Sequence, residues 1–142
     1  MPDIAMQVDT TASPEATHRA LTSTDGVAGW WTTRNETQGV EGQVDRFWVP
    51  DAPISWDMRV EQSDPGKLVA WRCVGGPPEW IGTEVRWTLE PTGSGGTLVI
   101  FDHTGFAEVG TMFRIVTLGW AQILGRLKQY LDTGQPAPFF TL

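Results

Sequence analysis

Apolar residues recur at every second position in several stretches of the chain, the mark of strands with one buried face. Ile4, Met6 and Val8 stand against Asp3, Ala5, Gln7 and Asp9, predicting a strand over 3–11. Ile54, Trp56, Met58 and Val60 alternate with Ser55, Asp57, Arg59 and Glu61 as a half-buried antiparallel strand. Residues 68–74 form the next strand, after a turn at Asp64-Pro65-Gly66, and Gly75-Gly76-Pro77-Pro78 is a loop. Val85, Trp87 and Leu89 alternate with Glu84, Arg86, Thr88 and Glu90. Past a turn at 93–96, Val99, Phe101 and His103 share one face of a last strand.

Helical signals flank this region. Ser13 can cap a helix that begins at Pro14, and Glu15 meets the positive end of its dipole; this helix runs to about Leu21. A second short helix is expected over 25–31, opened by Thr24 and weakened by Gly26 and Gly29. Beyond Gly110 the period becomes helical. Phe113, Val116, Trp120, Leu124, Leu127 and Leu131 fall within about 60° of arc at 100° per residue. Gln122, Arg126, Gln129 and Asp132 take the far side, and Gly134 and Pro136 stop the helix. Strand, two helices, strands and one long helix predict an α+β fold, with helices on one face of a curved antiparallel sheet.

Four segments carry a family resemblance. They are SPEATHRALTSTDGVAGWW (13–31), PEWIGTEVRWTLEP (78–91), GTLVIFDHTGF (96–106) and GWAQILGRLKQYLDTG (119–134). In this order they resemble the START-like, or Bet v 1-like (SRPBCC), helix-grip superfamily. More narrowly, the chain is similar to the group named for the C-terminal domain of the activator of Hsp90 ATPase. The resemblance spans residues 1–142 as a single domain. It implies a sheet wrapped around the long helix, a cavity between them for an apolar or aromatic small molecule, and short N-terminal helices closing one end. The Trp30-Trp31 pair resembles the family's WW element, one ring anchoring and the other meeting ligand. His18 stands where the family often has a bulky apolar residue, which implies either a wetter cavity end or an exposed helix flank.

Composition narrows the partners. Seventeen acidic and ten basic residues give the 142-residue chain a net charge of −7, which repels phosphate backbones and anionic lipid. Nucleic acid is therefore not an expected partner. No apolar run approaches membrane-spanning length, and the first residues carry no signal-peptide pattern, so the expected location is cytoplasmic. A lone cysteine, Cys73, cannot form an internal disulfide and reads as a buried small hydrophobe rather than a nucleophile. Tryptophan is the outlier, supplying eight of fifteen aromatics. Trp56, Trp71, Trp87 and Phe101 on the sheet should face Phe113 and Trp120 on the long helix, and with Trp31 these rings either fill the space between or line it.

His103 is the sharpest chemical candidate. On the inward face with Val99 and Phe101, a neutral imidazole could serve as acid or base or hold a polar ligand group at the cavity mouth. The alternative is a structural histidine bonded to a carbonyl near Gly105. The two histidines have no metal-ligand spacing, so no metal or other cofactor is expected. Asp57, Arg59 and Glu61, and likewise Glu84, Arg86 and Glu90, read as cross-strand ion pairs on the solvated sheet face. Ile115 and Leu118 lie on the back of the long helix and suggest a homodimer contact, and Phe139-Phe140 either folds back on the sheet or joins an interface. Three functions follow: binding of an apolar small molecule, an Hsp90-activator-like co-chaperone, or a cyclase or hydrolase for an aromatic or polyketide-like substrate with His103 as its acid/base.

Overall fold

The computed structural model describes residues 2–142. Seven strands form one antiparallel sheet in the order β1-β7-β6-β5-β4-β3-β2. These are β1 (Ile4–Thr10), β2 (Asn35–Glu36), β3 (Val44–Phe47), β4 (Trp56–Asp64), β5 (Leu68–Gly75), β6 (Glu84–Pro91) and β7 (Thr97–Thr104). Helices α1 (Pro14–Thr22) and α2 (Thr24–Val27) follow β1, and the 23-residue α3 (Thr111–Thr133) closes the fold. This is the α+β fold expected from the alternation and the helix-grip architecture implied by the family resemblance. Register shifts at Asp57/Met58 and Val60/Gln62 bend β4, as bulges do, and curve the sheet toward α3.

The period-two pattern predicts which faces are buried. Met58, Val60, Val69, Trp71, Val85, Trp87, Val99 and Phe101 have no exposed surface. On α3, Val116, Trp120, Ile123, Leu124 and Leu127 turn inward, each fully buried side chain contributing about 1.5–3 kcal/mol. The outer face of the sheet carries ion pairs across strands, Arg46–Asp57, Arg72–Glu61 and Arg72–Glu84, but Arg59–Glu61 and Arg86–Glu84 pair within a strand rather than across, and Glu90 forms no ion pair among the described residues.

Several expectations need correction. The second helix ends at Val27 and is capped by Ser23, whose hydroxyl accepts from Gly26 N–H, not opened by Thr24. Residues 28–31 turn instead, with Gly29 N–H donating to Gly26 O and Trp30 N–H to Val27 O, and Gly29 passes so close to Tyr130 that a Cβ would lie 2.6 Å from its ring. Ile54 is half exposed and precedes β4. Asp132 does not face solvent alone: its carboxylate accepts from the Thr10 hydroxyl (2.6 Å) and the Thr11 N–H (3.0 Å), tying the end of α3 to β1. Gly134, at φ 73°, ends α3 in the left-handed conformation that suits glycine.

Candidate functional site

The space between sheet and helix is filled by rings. Trp71 and Trp87 meet edge to face at 5.8 Å, Trp87 and Phe101 at 4.8 Å, and Phe101 lies 4.7 Å from Trp120. Trp30 packs on Trp87 and donates its indole N–H to Ala20 O at 2.8 Å, so it is the anchoring ring of the Trp30-Trp31 pair. Trp31 stacks on Phe47 and reaches forward to Trp120.

A hollow of about 280 Å³ lies beyond this packed layer and opens to solvent. Trp31, Trp56, Trp80 and Trp120 supply indoles to its wall, and Phe139 and Phe140 supply phenyl rings. The α3 side is formed by Met112, Ile115, Val116, Gly119 and Ile123, with Val49 opposite. All twelve lining residues lack a charge, a hydroxyl and an amide side chain. A Cβ added at Gly119 would have nothing within 4 Å, so this glycine leaves the helix surface open at the hollow. Of the expected lining residues, Trp31, Trp56 and Trp120 meet here, whereas Trp71, Trp87 and Phe101 form the packed layer behind. Phe113 lies against Phe106 beside a separate hollow of about 150 Å³.

The tail after α3 completes the wall. Ala137 N–H donates to Gly29 O (2.9 Å), Phe139 N–H to Trp30 O (3.2 Å) and Phe140 N–H to Trp31 O (2.8 Å), while Thr33 N–H donates to Phe140 O (3.1 Å). Phe139-Phe140 thus docks along the WW segment rather than on the sheet. Pro136 and Pro138 favour the extended run, and neither has an N–H to leave unpaired.

His103 has no exposed surface and lies behind the hollow rather than at its mouth. Its Nδ1 is 3.0 Å from the indole nitrogen of Trp120, which can only donate; its Nε2 is 2.8 Å from Thr83 Oγ1. The imidazole is therefore neutral with the proton on Nε2, and the Thr83 hydroxyl, accepting from it, donates to Trp80 O at 2.6 Å. Burial pushes the His103 pKa down to about 3. Its partners are thus two side chains, not a carbonyl near Gly105.

His18 is buried with Nε2 3.1 Å from Ser63 Oγ, so it belongs to the contact between α1 and the sheet and not to an exposed flank. Burial lowers its pKa, against the raising pull of Asp64. The Cys73 thiol, buried and donating to Gly75 O, is pushed up to about 11 by desolvation. Trp80 and Thr83 escaped the sequence reading. They lie in a Gly- and Pro-rich loop without periodicity, and only the isolated tryptophan of that loop signalled them.

Residues 11–132 match the family described as Activator of Hsp90 ATPase homolog 1-like protein. The chain belongs to this family. Among solved structures, this Hsp90-activator-like chain is similar to the Aha1 dimer of Colwellia psychrerythraea, with 32% identity and a TM-score of 0.86 over 94% of this chain and 98% of that one. MLL2253 of Mesorhizobium loti shares the fold at 22% identity and a TM-score of 0.78, over 92% of this chain and 96% of that one. CalU16 of Micromonospora echinospora shares it at 22% identity and a TM-score of 0.68, over 96% of this chain and 77% of that one. No curated protein matches the chain. Among the described residues no helix is long and apolar enough to cross a membrane.

Proposed function

We propose that the protein binds an apolar or aromatic small molecule in the hollow between α3, the loop holding Trp80 and the C-terminal tail. The observation that carries this reading is the wall itself: four indoles and two phenyl rings around an open space of about 280 Å³. Concave, mostly apolar and aromatic surfaces are where small ligands bind. A binding role is preferred to a cyclase or hydrolase because His103, the acid/base candidate, has both ring nitrogens engaged behind the wall.

Gly119→Leu tests the proposal. The side chain would grow into the hollow, while replacing a helical glycine favours α3 by up to about 1 kcal/mol. Titration with 2-ethylnaphthalene, followed by calorimetry, should show saturable binding to the native protein and none to a folded Gly119→Leu variant. Unchanged affinity in that variant would place binding elsewhere and end this reading.

We further propose a homodimer through the outer face of α3. Support comes from the dimer formed by the Colwellia psychrerythraea relative and from Ile115 and Leu118, each 63% exposed here.

A further inference from the structure

The smaller hollow of about 150 Å³ adjoins the larger one, and Met112 lines both. On the loop side the boundary falls between consecutive residues, Glu79 bordering the smaller space and Trp80 the larger. Neighbouring Cα atoms stand about 3.8 Å apart, so the partition there is one residue thick. On the helix side it is the Met112 side chain. A row of rings runs behind both spaces: Trp80 lies 4.7 Å from His103, His103 4.5 Å from Phe106, and Phe106 5.1 Å from Phe113. The two hollows therefore lie end to end along one aromatic floor.

Met112 is suited to give way. It is half-buried, and its unbranched thioether can turn aside while staying against apolar neighbours. It also belongs to the first turn of α3, where Gly110 supplies no side-chain cap and the backbone N–H groups lack intrahelical partners.

We infer that the two hollows are compartments of one binding site, with Met112 as the movable partition, and that the ligand is an aromatic molecule bearing an unionised apolar arm. This rests on the binding role proposed above and adds the shape and charge of what is bound. The ring system lies on the indoles of the larger hollow, and the arm passes Met112 onto Phe106 and Phe113. A carboxylate at the tip of the arm is disfavoured by charge. Glu79 and Glu108 stand at that end, and no residue lining either hollow is cationic. Glu108 already lies beside the N-cap of α3, its Oε1 3.3 Å from where a Cβ on Gly110 would stand.

Three probes separate these claims in calorimetric titrations at pH 7: 2-ethylnaphthalene, 2-butylnaphthalene and 4-(2-naphthyl)butanoate. The butyl compound should bind the native protein about tenfold tighter than the ethyl one, as two more buried methylenes allow, and the butanoate about tenfold weaker than the butyl compound. The ratio of butyl to ethyl affinity is the readout in the variants, so any change common to both probes drops out. Met112→Ile keeps an apolar wall but stiffens it at the β-carbon, and the ratio should fall to about one. Met112→Ala opens the partition, and the ratio should rise above the native value. Equal affinity for butyl and ethyl probes in the native protein overturns the second compartment, as does a ratio that neither substitution moves. Butanoate binding as tightly as butylnaphthalene overturns the unionised arm. Those outcomes leave the binding role standing, whereas failure of all three probes to bind overturns it too. If a variant does not fold, the other variant and the native comparison decide.

Discussion

The indole N–H of Trp120 on α3 donates to Nδ1 of His103 on β7 across 3.0 Å, joining the helix to the sheet inside the core. Because indole cannot accept, this contact fixes the imidazole tautomer and sends the chain onward through Thr83 to Trp80 O. Every polar group in the series has a partner in a defined direction. Trp80 and Trp120, both walls of the hollow, are thereby held from behind by one buried histidine.

That arrangement gives stability a pH dependence. Unfolded, His103 takes a proton near pH 6.5; folded, it stays neutral down to about pH 3. Above pH 6.5 both states are neutral and its full contribution is present. Between pH 6.5 and 3 the unfolded chain binds a proton that the folded one refuses, so stability falls by about 1.4 kcal/mol per pH unit from this group. His18, also lowered by burial, adds a loss of the same sign. Urea unfolding of the native protein and of His103→Gln between pH 7 and 4.5 should differ in slope by about one proton. Equal slopes would mean that His103 titrates normally in the fold.

How much of this could be read from the chain varies with the physics. Period two is a local property, so β1, β4, β6 and β7 and the inward face of His103 were legible, as was the apolar stripe of α3. The partner of His103 was not, because Thr83 precedes β6 and is brought close only by the pairing of β6 with β7. Asp132 is polar on a helix flank in sequence and becomes a clamp only because β1 ends beside it. The same limit hid the pocket. Alternation shows that Trp71 and Trp87 point inward, but whether rings fill a space or line it depends on how they interlock. Here they interlock, and the open volume moves outward to Trp56, Trp80 and the tail.

Thr83→Val is the cleanest test of the directed chain. The shape is conserved, yet His103 Nε2–H loses its partner and Trp80 O is left with only the Thr83 N–H (2.9 Å) in a site with 1% exposure. Stability should fall by about 1–3 kcal/mol in chemical denaturation, the cost of leaving buried polar groups unpaired. Thr83→Ser keeps the hydroxyl and should recover most of the loss. A neutral Thr83→Val would show that the hydroxyl contributes only shape.

Gly29→Ala probes how the tail and α3 meet the WW turn. Its Cβ would stand 2.6 Å from the Tyr130 ring, so either the ring or the turn must move. The expected cost is about 1–3 kcal/mol, typical of overpacking. Combining it with Tyr130→Ala should give less than the sum of the two losses, because the clash is gone. Strict additivity would place the cost in the backbone alone.

Removing residues 137–142 should open one side of the hollow. The tail is held by backbone hydrogen bonds to residues 29–33 and contributes both phenyl rings of the wall, so its loss takes contact area from the ligand while the sheet–α3 core is retained. Affinity for 2-ethylnaphthalene should fall by about tenfold or more, with cooperative unfolding preserved. An unaltered affinity would show that Phe139 and Phe140 bound the hollow without touching what enters it.

The proposed homodimer makes a prediction that separates assembly from folding. Leu118 is 63% exposed on α3, with no buried contact to lose, so Leu118→Glu should leave the monomer's stability within about 0.5 kcal/mol. In a homodimer packed on that face, the substitution would place a carboxylate from each copy against apolar Ile115 and against the other introduced carboxylate, and would not be tolerated. Sedimentation should therefore show a dimer for the native chain and a monomer for Leu118→Glu. Ile115 also belongs to the lip of the hollow, so the two processes are coupled: dilution that releases the second copy should alter probe affinity in the native protein and leave it unchanged in the variant. A native chain that sediments as a monomer at every concentration would leave the α3 face without a second copy to cover it, and the hollow open on that side.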